Sequence, residues 1–379
     1  MTILDRYVFH RFLTPFIYCI TGFIAIWFIF DLSDNIPIFL QGQASLQTVL
    51  HYYQTQIPAI LVLALPAGTI LALLYCLTMM SRSNEIISML TAGVSVLRVL
   101  SPLFFFGFML VGLITYCNWS SAPHAERLKQ QILNDIRKRT HTSDEFISGH
   151  MYRNREQYRL WFMSFIRPEQ ESNLLENVQI IQQNPANEIT KEWFADNASY
   201  DASTGEWILK KARYVELDPR GNILKTTDSD RLTIAHWNET PWRIASSVMN
   251  PDYLSVSELQ DYLFYNKDFP ERRLAPYRTH LQYRYALPWQ VMVALTVGGA
   301  LGIVYSRRGV LGGVAAAIGI FFTLIFVDKV FIALGKGNHV HPVIAAWMPL
   351  IIYLLVGCWL VWVRSTNRDL SKIKIPGWS

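Results

Sequence analysis

Long apolar stretches and a single long polar stretch alternate along the chain. The apolar stretches lie at residues 12–30, 57–80, 99–123, 285–306, 309–327 and 343–363. Each is close to the ~20 residues with which an α-helix crosses about 30 Å of hydrocarbon, and each must be helical because the bilayer core offers backbone groups no other partner. About 160 residues, mostly polar, separate the third stretch from the fourth. The pattern predicts six transmembrane helices and one soluble domain inserted on a single side.

The inserted segment changes from helical to strand-like spacing. Residues 123–139 keep helical spacing, and short strand-like runs separated by turn residues follow from about 140 to 245. The predicted strands are Tyr158–Phe165, Val178–Ile181, Trp193–Tyr200, Trp207–Leu217, Ile223–Thr226 and Arg231–Trp237. Short strands at this spacing predict an all-β sandwich or jelly roll. We therefore divide the chain into spans one to three (1–122), the β domain with flanking helices (123–284), and spans four to six with a tail (285–379).

Lysines and arginines in the short loops predict the orientation. One side of the membrane carries ten of them: Arg6, Arg11, Arg82, Arg98, Arg307, Arg308, Arg364, Arg368, Lys372 and Lys374. The other side carries two, Lys329 and Lys336. This bias predicts that both termini are cytoplasmic and that the β domain is outside, in the periplasm of a cell with two membranes. Anchoring to anionic lipid headgroups accounts for the net charge of +5, and nothing suggests nucleic acid as a partner.

Motifs for bond chemistry are missing from the sequence. It contains no phosphate-binding G-x-x-x-x-G-K-[ST] loop, no H-E-x-x-H and no paired-cysteine motif. His339-x-His341 is more typical of an ordinary loop than of a metal site. Asp328-Lys329, near the end of span five, is better interpreted as an interfacial ion pair than as a proton relay. We therefore assign no catalytic residue, metal ligand or cofactor to this chain.

The loop after span two, residues 81–93, has the pattern of a short helix. Ser81 or Ser83 can cap it, Glu85 suits its positive N-terminal end, and Gly93 can end it. Its apolar side chains, Ile86, Met89 and Leu90, share one face. Two interpretations stay open: an amphipathic helix lying on the membrane, or a contact site for a cytoplasmic partner.

Two spans carry small residues four positions apart. Span two has Gly68 and Ala72, and span four has Gly298 and Gly302. Small residues at this spacing let neighbouring helices approach closely, so span four is a predicted helix contact. In span two, which also carries Pro58 and Pro66, a helix contact and a kink with small residues that make no contact both stay open.

Several local strings, taken in order, resemble the LptF/LptG permeases, the membrane subunits of the lipopolysaccharide-export ABC transporter. They are Leu4-Asp5-Arg6-Tyr7, Ser81-Arg82-Ser83-Asn84-Glu85-Ile86 followed by Ala92-Gly93-Val94-Ser95, Trp119-x-x-x-Pro123, Leu254-Ser255 before Glu258-Leu259, and Trp347-x-Pro349. The resemblance covers essentially the whole chain.

The resemblance implies a fold class, an α-helical membrane protein with six transmembrane helices plus an inserted all-β jelly-roll periplasmic domain. It implies that two paralogous permeases pair in the bacterial inner membrane and that lipopolysaccharide enters between their helices. A cytoplasmic ABC ATPase dimer, which uses ATP and Mg, would bind the loop helix, and a single-span periplasmic jelly-roll protein would receive the lipid. By matching position, Glu85 would contact the ATPase, with Arg82, Ile86, Met89 and Leu90 beside it.

Candidates for a lipid portal come mainly from spans one and five. They are Phe23, Phe30, Asp34, Arg284, Phe322, Phe326 and Lys329. Members of the resembled family often carry basic residues at the outer end of span one, whereas this chain has Asp31 and Asp34 there and no Lys or Arg from 12 to 81. Lipid phosphates would then be met by the partner subunit, by a divalent cation, or by Lys329 and Arg284.

Two other functions are compatible with the layout. A membrane sensor or assembly scaffold would bind a ligand through its outer domain and signal through the loop helix. An ion-driven carrier is disfavoured because the spans carry almost no charged residues at mid-membrane depth.

Overall fold

The long apolar runs of the sequence form long helices. The structure is a computed structural model that describes residues 2–140, 150–154, 156–163, 165–166, 174–246, 250–267, 269–303 and 310–366. Its helices are α1 (Ile3–Gln41), α2 (Leu46–Arg82), α3 (Glu85–Thr91), α4 (Val96–Tyr116), α5 (Ala122–Thr140), α6 (Pro241–Ser246), α7 (Val256–Tyr265), α8 (Glu271–Ala286), α9 (Gln290–Gly302), α10 (Val310–Lys336) and α11 (Pro342–Ser365). A π-helical turn, Cys117–Ser121, joins α4 to α5, and a 3-10 turn, Leu287–Trp289, joins α8 to α9.

The prediction of six membrane-spanning segments is confirmed. Six helical segments are long and apolar enough to cross a bilayer: α1, α2, α4 continued into α5, α8 continued into α9, α10 and α11. With 39 and 37 residues, α1 and α2 run on well past the predicted stretches and past ~30 Å of hydrocarbon. Five of the basic residues used to predict orientation, Arg307, Arg308, Arg368, Lys372 and Lys374, lie outside the described residues.

Helix α2 packs against α9 at the centre of the spans, with α1 on α2 and α4, and α10 on α9 and α11. The predicted close contact of span four is confirmed, because Gly298 and Gly302 of α9 lie against Leu73 and Leu77 of α2. Coverage is uneven: only 11% of the most apolar part of α1 and 28% of that of α10 are buried. Both helices therefore keep broad apolar faces uncovered.

The inserted domain is an antiparallel sheet, as the strand-like pattern predicted. Its strands are β1 (His150–Asn154), β2 (Arg159–Met163), β3 (Phe165–Ile166), β4 (Leu174–Gln183), β5 (Ile189–Asp201), β6 (Glu206–Leu217) and β7 (Ile223–Ile234). They pair in the order β1-β2-β4-β5-β6-β7, with β3 also on β4. Trp161 of β2 and Trp207 of β6 are fully buried, with ring centroids 4.9 Å apart. This arrangement is consistent with the predicted jelly roll.

Two compact units divide the chain. One comprises residues 1–141, 251–259 and 271–379 and holds the spans, and the other comprises 142–250 and 260–270 and holds the sheet. The candidate sites described next all belong to the unit of the spans.

Candidate functional site

A cavity of about 450 Å³ with one polar and one apolar wall lies among α2, the α4–α5 junction, α8 and α10. We call it the Arg284 cavity. Its apolar wall includes Val62 and Leu63 of α2. Its polar wall comes from Asn118, Glu126, Asp252, His280, Tyr283, Arg284, Lys329 and Lys336. The structure thus brings together two of the predicted portal residues, Arg284 and Lys329, which lie far apart in the sequence.

Arg284, near the end of α8, is hydrogen-bonded to the α4–α5 junction and to the segment that contains Asp252. Its Nη1 donates to Oδ1 of Asn118 at 3.1 Å, and Asn118 Nδ2 donates back to the Arg284 carbonyl at 2.8 Å. Its Nη2 donates to the carbonyl of Asp252 at 2.8 Å. These acceptors are a neutral amide and a neutral carbonyl, and the carboxylate of Asp252 acts on the guanidinium as a nearby negative charge.

Asp252 is one of two carboxylates in the cavity wall, the other being Glu126. Its Oδ1 lies 2.5 Å from Nε2 of His280 and 3.2 Å from Nζ of Lys336. The hydrogen bond from His280 lowers the pKa of Asp252 well below its ordinary value; burial opposes this shift, and the positive charge of Lys336 adds to it. Asp252 is therefore ionised at neutral pH and ties α8 to α10.

Lys329 and Asp328 do not form the ion pair that the sequence predicted. Asp328 is buried and accepts a hydrogen bond from Nε2 of Gln290 at 2.9 Å. The Lys329 ammonium lies 5.6 Å from the ring centroid of Tyr283. Successive side chains on a helix point about 100° apart, so Asp328 turns inward while Lys329 reaches the cavity wall.

The apolar portal candidates lie on two helices with different neighbours. Phe30 on α1 is 68% exposed, and Phe322 and Phe326 on α10 are 66% and 70% exposed. Phe23 is half-buried and Asp34 is exposed. The Arg284 cavity thus gathers the basic candidates, whereas the aromatic ones sit on the uncovered faces of α1 and α10.

A lysine that the sequence analysis overlooked neutralises the acidic end of α1. Nζ of Lys129, on α5, lies 2.6 Å from Oδ1 of the buried Asp31, and the Tyr52 hydroxyl donates to Oδ2 at 2.9 Å. The cation at this end of span one is thus supplied by α5, about one hundred residues away. A buried carboxylate needs a cationic or hydrogen-bonding partner, so an aspartate at the end of an apolar span was a signal that such a partner exists. The sequence did not indicate which residue provides it.

The loop helix is shorter than predicted. Arg82 is the last residue of α2, and α3 begins at Glu85 after Asn84, which has a left-handed backbone (φ 61°). The predicted serine cap is wrong, because the cap position of α3 is Asn84 and Ser81 lies within α2. The Ser83 hydroxyl donates to the carbonyls of Met79 and Met80 and so closes α2 instead. The apolar face turns inward, with Ile86 1% exposed and Met89 and Leu90 against the core of the spans.

Glu85 is fixed by two residues of α1. The Tyr7 hydroxyl donates to Oε2 at 2.8 Å, and Arg11 Nη2 lies 3.2 Å from Oε1. Arg11 Nε also donates to the Tyr7 hydroxyl at 3.0 Å. The Glu85 side chain remains 24% exposed, so a carboxylate with further acceptor capacity stays open to solvent.

A comparison with models of known protein families shows the family of this chain. The model of the family described as "Lipopolysaccharide export system permease LptF/LptG" matches residues 6–363. The chain belongs to the LptF/LptG family. Two curated relatives, both named lipopolysaccharide export system permease protein LptG, come from Escherichia coli strain K12 and from a second E. coli strain. Each is 22% identical over 376 residues, covering 96% of this chain and 99% of the relative.

Membership in the LptF/LptG family agrees with the six apolar helices. The chain is a multi-pass protein of the inner membrane and a member of a transport-permease family. The fold class inferred from the resemblance is confirmed at this level.

Proposed function

We propose that this LptF/LptG-family chain is one permease subunit of an ATP-driven exporter that extracts lipopolysaccharide from the inner membrane and passes it to a periplasmic bridge. The family match over residues 6–363 carries the proposal. The proposed partners are a paralogous permease, a cytoplasmic ABC ATPase dimer that consumes ATP and Mg, and a single-span periplasmic jelly-roll protein. The proposed orientation in the inner membrane places both termini in the cytoplasm and the β domain in the periplasm.

The uncovered faces of α1 and α10 support a lipid path at a subunit boundary. Large apolar faces on a membrane helix must meet either lipid or another helix. The chain leaves Phe30, Phe322 and Phe326 on such faces, at positions that a second permease or an acyl chain would contact.

The Arg284 cavity supports recognition of the lipid headgroup. Arginine and lysine bind phosphate through charge-assisted hydrogen bonds, and Arg284 is oriented by neutral acceptors. Lys329 adds a second cation, on the same helix as Phe322 and Phe326. Headgroup and acyl chains would thus be met by neighbouring parts of α10.

Glu85 supports the contact with the ATPase. A partly exposed carboxylate in the first turn of a short helix suits a basic or hydrogen-bond-donating groove on a partner. Since Ile86, Met89 and Leu90 face inward, we assign the contact to Glu85 and to the exposed Arg82 rather than to the apolar face.

Photo-crosslinking tests the proposal. A photoreactive amino acid replaces Phe30 or Phe326 in the complete complex, in membranes that contain lipopolysaccharide. Phe105 on α4, which is 69% exposed and is not a portal candidate, is the matched control. We expect lipopolysaccharide adducts at Phe30 and Phe326 that change with ATP and exceed those at Phe105.

Two results would contradict the proposal. Equal adducts at all three positions would mean that the candidates sample only bulk lipid. Adducts with protein alone at Phe30 and Phe326 would favour the membrane sensor or assembly scaffold.

A further inference from the structure

We infer that Arg11 and Tyr7 are positioning residues that join the Glu85 helix to α1, so that force applied at Glu85 reaches α1 directly. This inference rests on the proposed function, in which Glu85 receives the work of the ATPase. It adds two residues of the first span to that transmission.

The contact engages the whole Glu85 carboxylate. Oε1 faces the Arg11 guanidinium at 3.2 Å, and Oε2 accepts from the Tyr7 hydroxyl at 2.8 Å. Arg11 and Tyr7 are one helical turn apart, and Arg11 Nε donates a hydrogen bond to the Tyr7 hydroxyl at 3.0 Å. Because each member contacts the other two, the three side chains form a closed triangle, which restricts their rotamers more than a single ion pair would.

Helix α3 has a second attachment of a different kind. Ile86 is buried, and Met89 and Leu90 pack on the core of the spans, where α3 contacts α2. The apolar attachment holds α3 against the end of α2, and the polar triangle binds its first residue to α1. The triangle thus adds a polar link from α3 to α1 beside the apolar contact of α3 with α2.

Helix α1 is suited to receive such a movement. It is the span with the least buried apolar surface, and it carries the exposed Phe30. Its other end is held by the Lys129 and Tyr52 contacts to Asp31. A displacement imposed near Arg11 would therefore tilt α1 about its fixed point at Asp31 rather than shift the whole helix.

The test uses the full chain in its complex with the partner permease and the ATPase, in proteoliposomes that contain lipopolysaccharide. Tyr7→Phe removes one hydroxyl, Arg11→Gln removes the charge, and Arg11→Lys keeps it. Arg6→Gln is the matched control, because Arg6 is exposed at the same end of α1. The measurements are ATPase affinity, ATP hydrolysis, and lipopolysaccharide released per ATP.

We expect a separation between binding and coupling. Loss of a partly exposed ion pair should weaken ATPase binding by no more than about two- to fivefold. Lipopolysaccharide released per ATP should fall further, about tenfold, in Arg11→Gln and Tyr7→Phe, while Arg11→Lys retains most of it and Arg6→Gln retains all. A merely structural role would instead lower affinity, hydrolysis and yield together and would not be rescued by lysine.

The failure of this inference can be told from the failure of the proposed function by adding Glu85→Gln. If Glu85→Gln loses coupling while Arg11→Gln and Tyr7→Phe keep it, the inference is overturned and the proposed ATPase contact stands. If Glu85→Gln also keeps normal ATPase binding and lipid release, the proposed contact itself is wrong. Equal losses in Arg6→Gln and Arg11→Gln would also overturn the inference, since charge alone would then explain the effect.

Discussion

Replacing Lys129 with methionine should destabilise the unit of the spans because it leaves a buried charge unpaired. Asp31 is 7% exposed, and the Lys129 ammonium is its cationic partner at 2.6 Å. Methionine keeps much of the length of the lysine side chain and removes the ammonium group, with its charge, its N–H donors and its contact with the Trp27 ring. The change therefore breaks the ion pair between α1 and α5.

The expected magnitude follows from the burial of the two partners. Removing one partner of a fully buried ion pair costs about 3–5 kcal/mol. The cost here should be lower, ~2–3 kcal/mol, because the Tyr52 hydroxyl still donates to Asp31 and the Lys129 side chain is 20% exposed. In the double variant Asp31→Asn/Lys129→Met no charge is left to pair, so we expect stability within ~1 kcal/mol of the native chain.

Thermal unfolding of the detergent-solubilised chain, arranged as a double-mutant cycle, measures this coupling. Lys211→Met is the control, because Lys211 pairs with Asp196 at 3.2 Å on the sheet surface with both side chains largely exposed. Its expected cost is below ~0.5 kcal/mol. If Lys129→Met were no more destabilising than Lys211→Met, or if the double variant were as unstable as Lys129→Met, the assignment of a buried, mutually dependent pair would be refuted.

Two further predictions concern the packing around the spans. Burial opposes the ionisation of Glu258, but hydrogen bonds from the Ser255 N–H and hydroxyl and the charge of Arg127 outweigh it and lower the pKa of Glu258. The stabilisation that Glu258 gives the folded state should therefore be complete above about pH 4.5, the pKa of the carboxyl in the unfolded chain, and be lost as the pH falls below that value. In Glu258→Gln the melting temperature should fall less steeply as the pH is lowered below about 4.5. An unchanged slope would contradict this. An alanine at Gly302 would place its Cβ 3.0 Å from Cβ of Leu77 and should cost ~1–3 kcal/mol by overpacking, whereas alanine at Gly319, which has no atom within 4 Å of the new Cβ, should not lower the melting temperature.

The spans could be predicted from the sequence because hydrocarbon imposes both a length and a helical backbone. Their ends could not, since the bilayer constrains only the apolar part. Helix α2 begins at Leu46, well before the predicted stretch, and its polar extension is stabilised by contacts such as the bond from Gln56 Nε2 to the Ala125 carbonyl at 2.9 Å. Such contacts depend on tertiary packing and leave no periodic signal.

The strand predictions failed in polar strands, where apolar and polar residues do not alternate. The runs Ile223–Thr226 and Arg231–Trp237 were predicted as two strands, whereas β7 runs through Ile223–Ile234. Most of its side chains are exposed and it lies at an edge of the described sheet, so its polar middle costs little. The short polar strand β1, His150–Asn154, was missed for the same reason.

At the candidate sites, residue types were easier to predict than partners. Arg284 and Lys329 were selected as cations that could meet lipid phosphates, because residues 12–81 carry no Lys or Arg, and the structure places them in one cavity. The partner of Asp31 is Lys129, 98 residues away in sequence, and the partner of Glu85 is Arg11, 74 residues away. Only the packing of α5 on α1 and of α3 beside α1 creates these pairs.

The uncovered faces of α1 and α10 bear on why the proposed transporter needs two permeases. Within the described residues, α1 packs on α2, α4 and α5, while α10 packs mainly on α8, α9 and α11 and touches α2. The aromatic candidates of the two helices therefore lie on helices with largely different neighbours. A related permease placed against this one would let α1 of each subunit meet α10 of the other, and a path bounded by both would exist only at the subunit boundary. In that arrangement, the triangle of Tyr7, Arg11 and Glu85 would link the proposed ATPase contact to one wall of the path. Lys329, on the α10 that carries Phe322 and Phe326, would lie at the opposite wall.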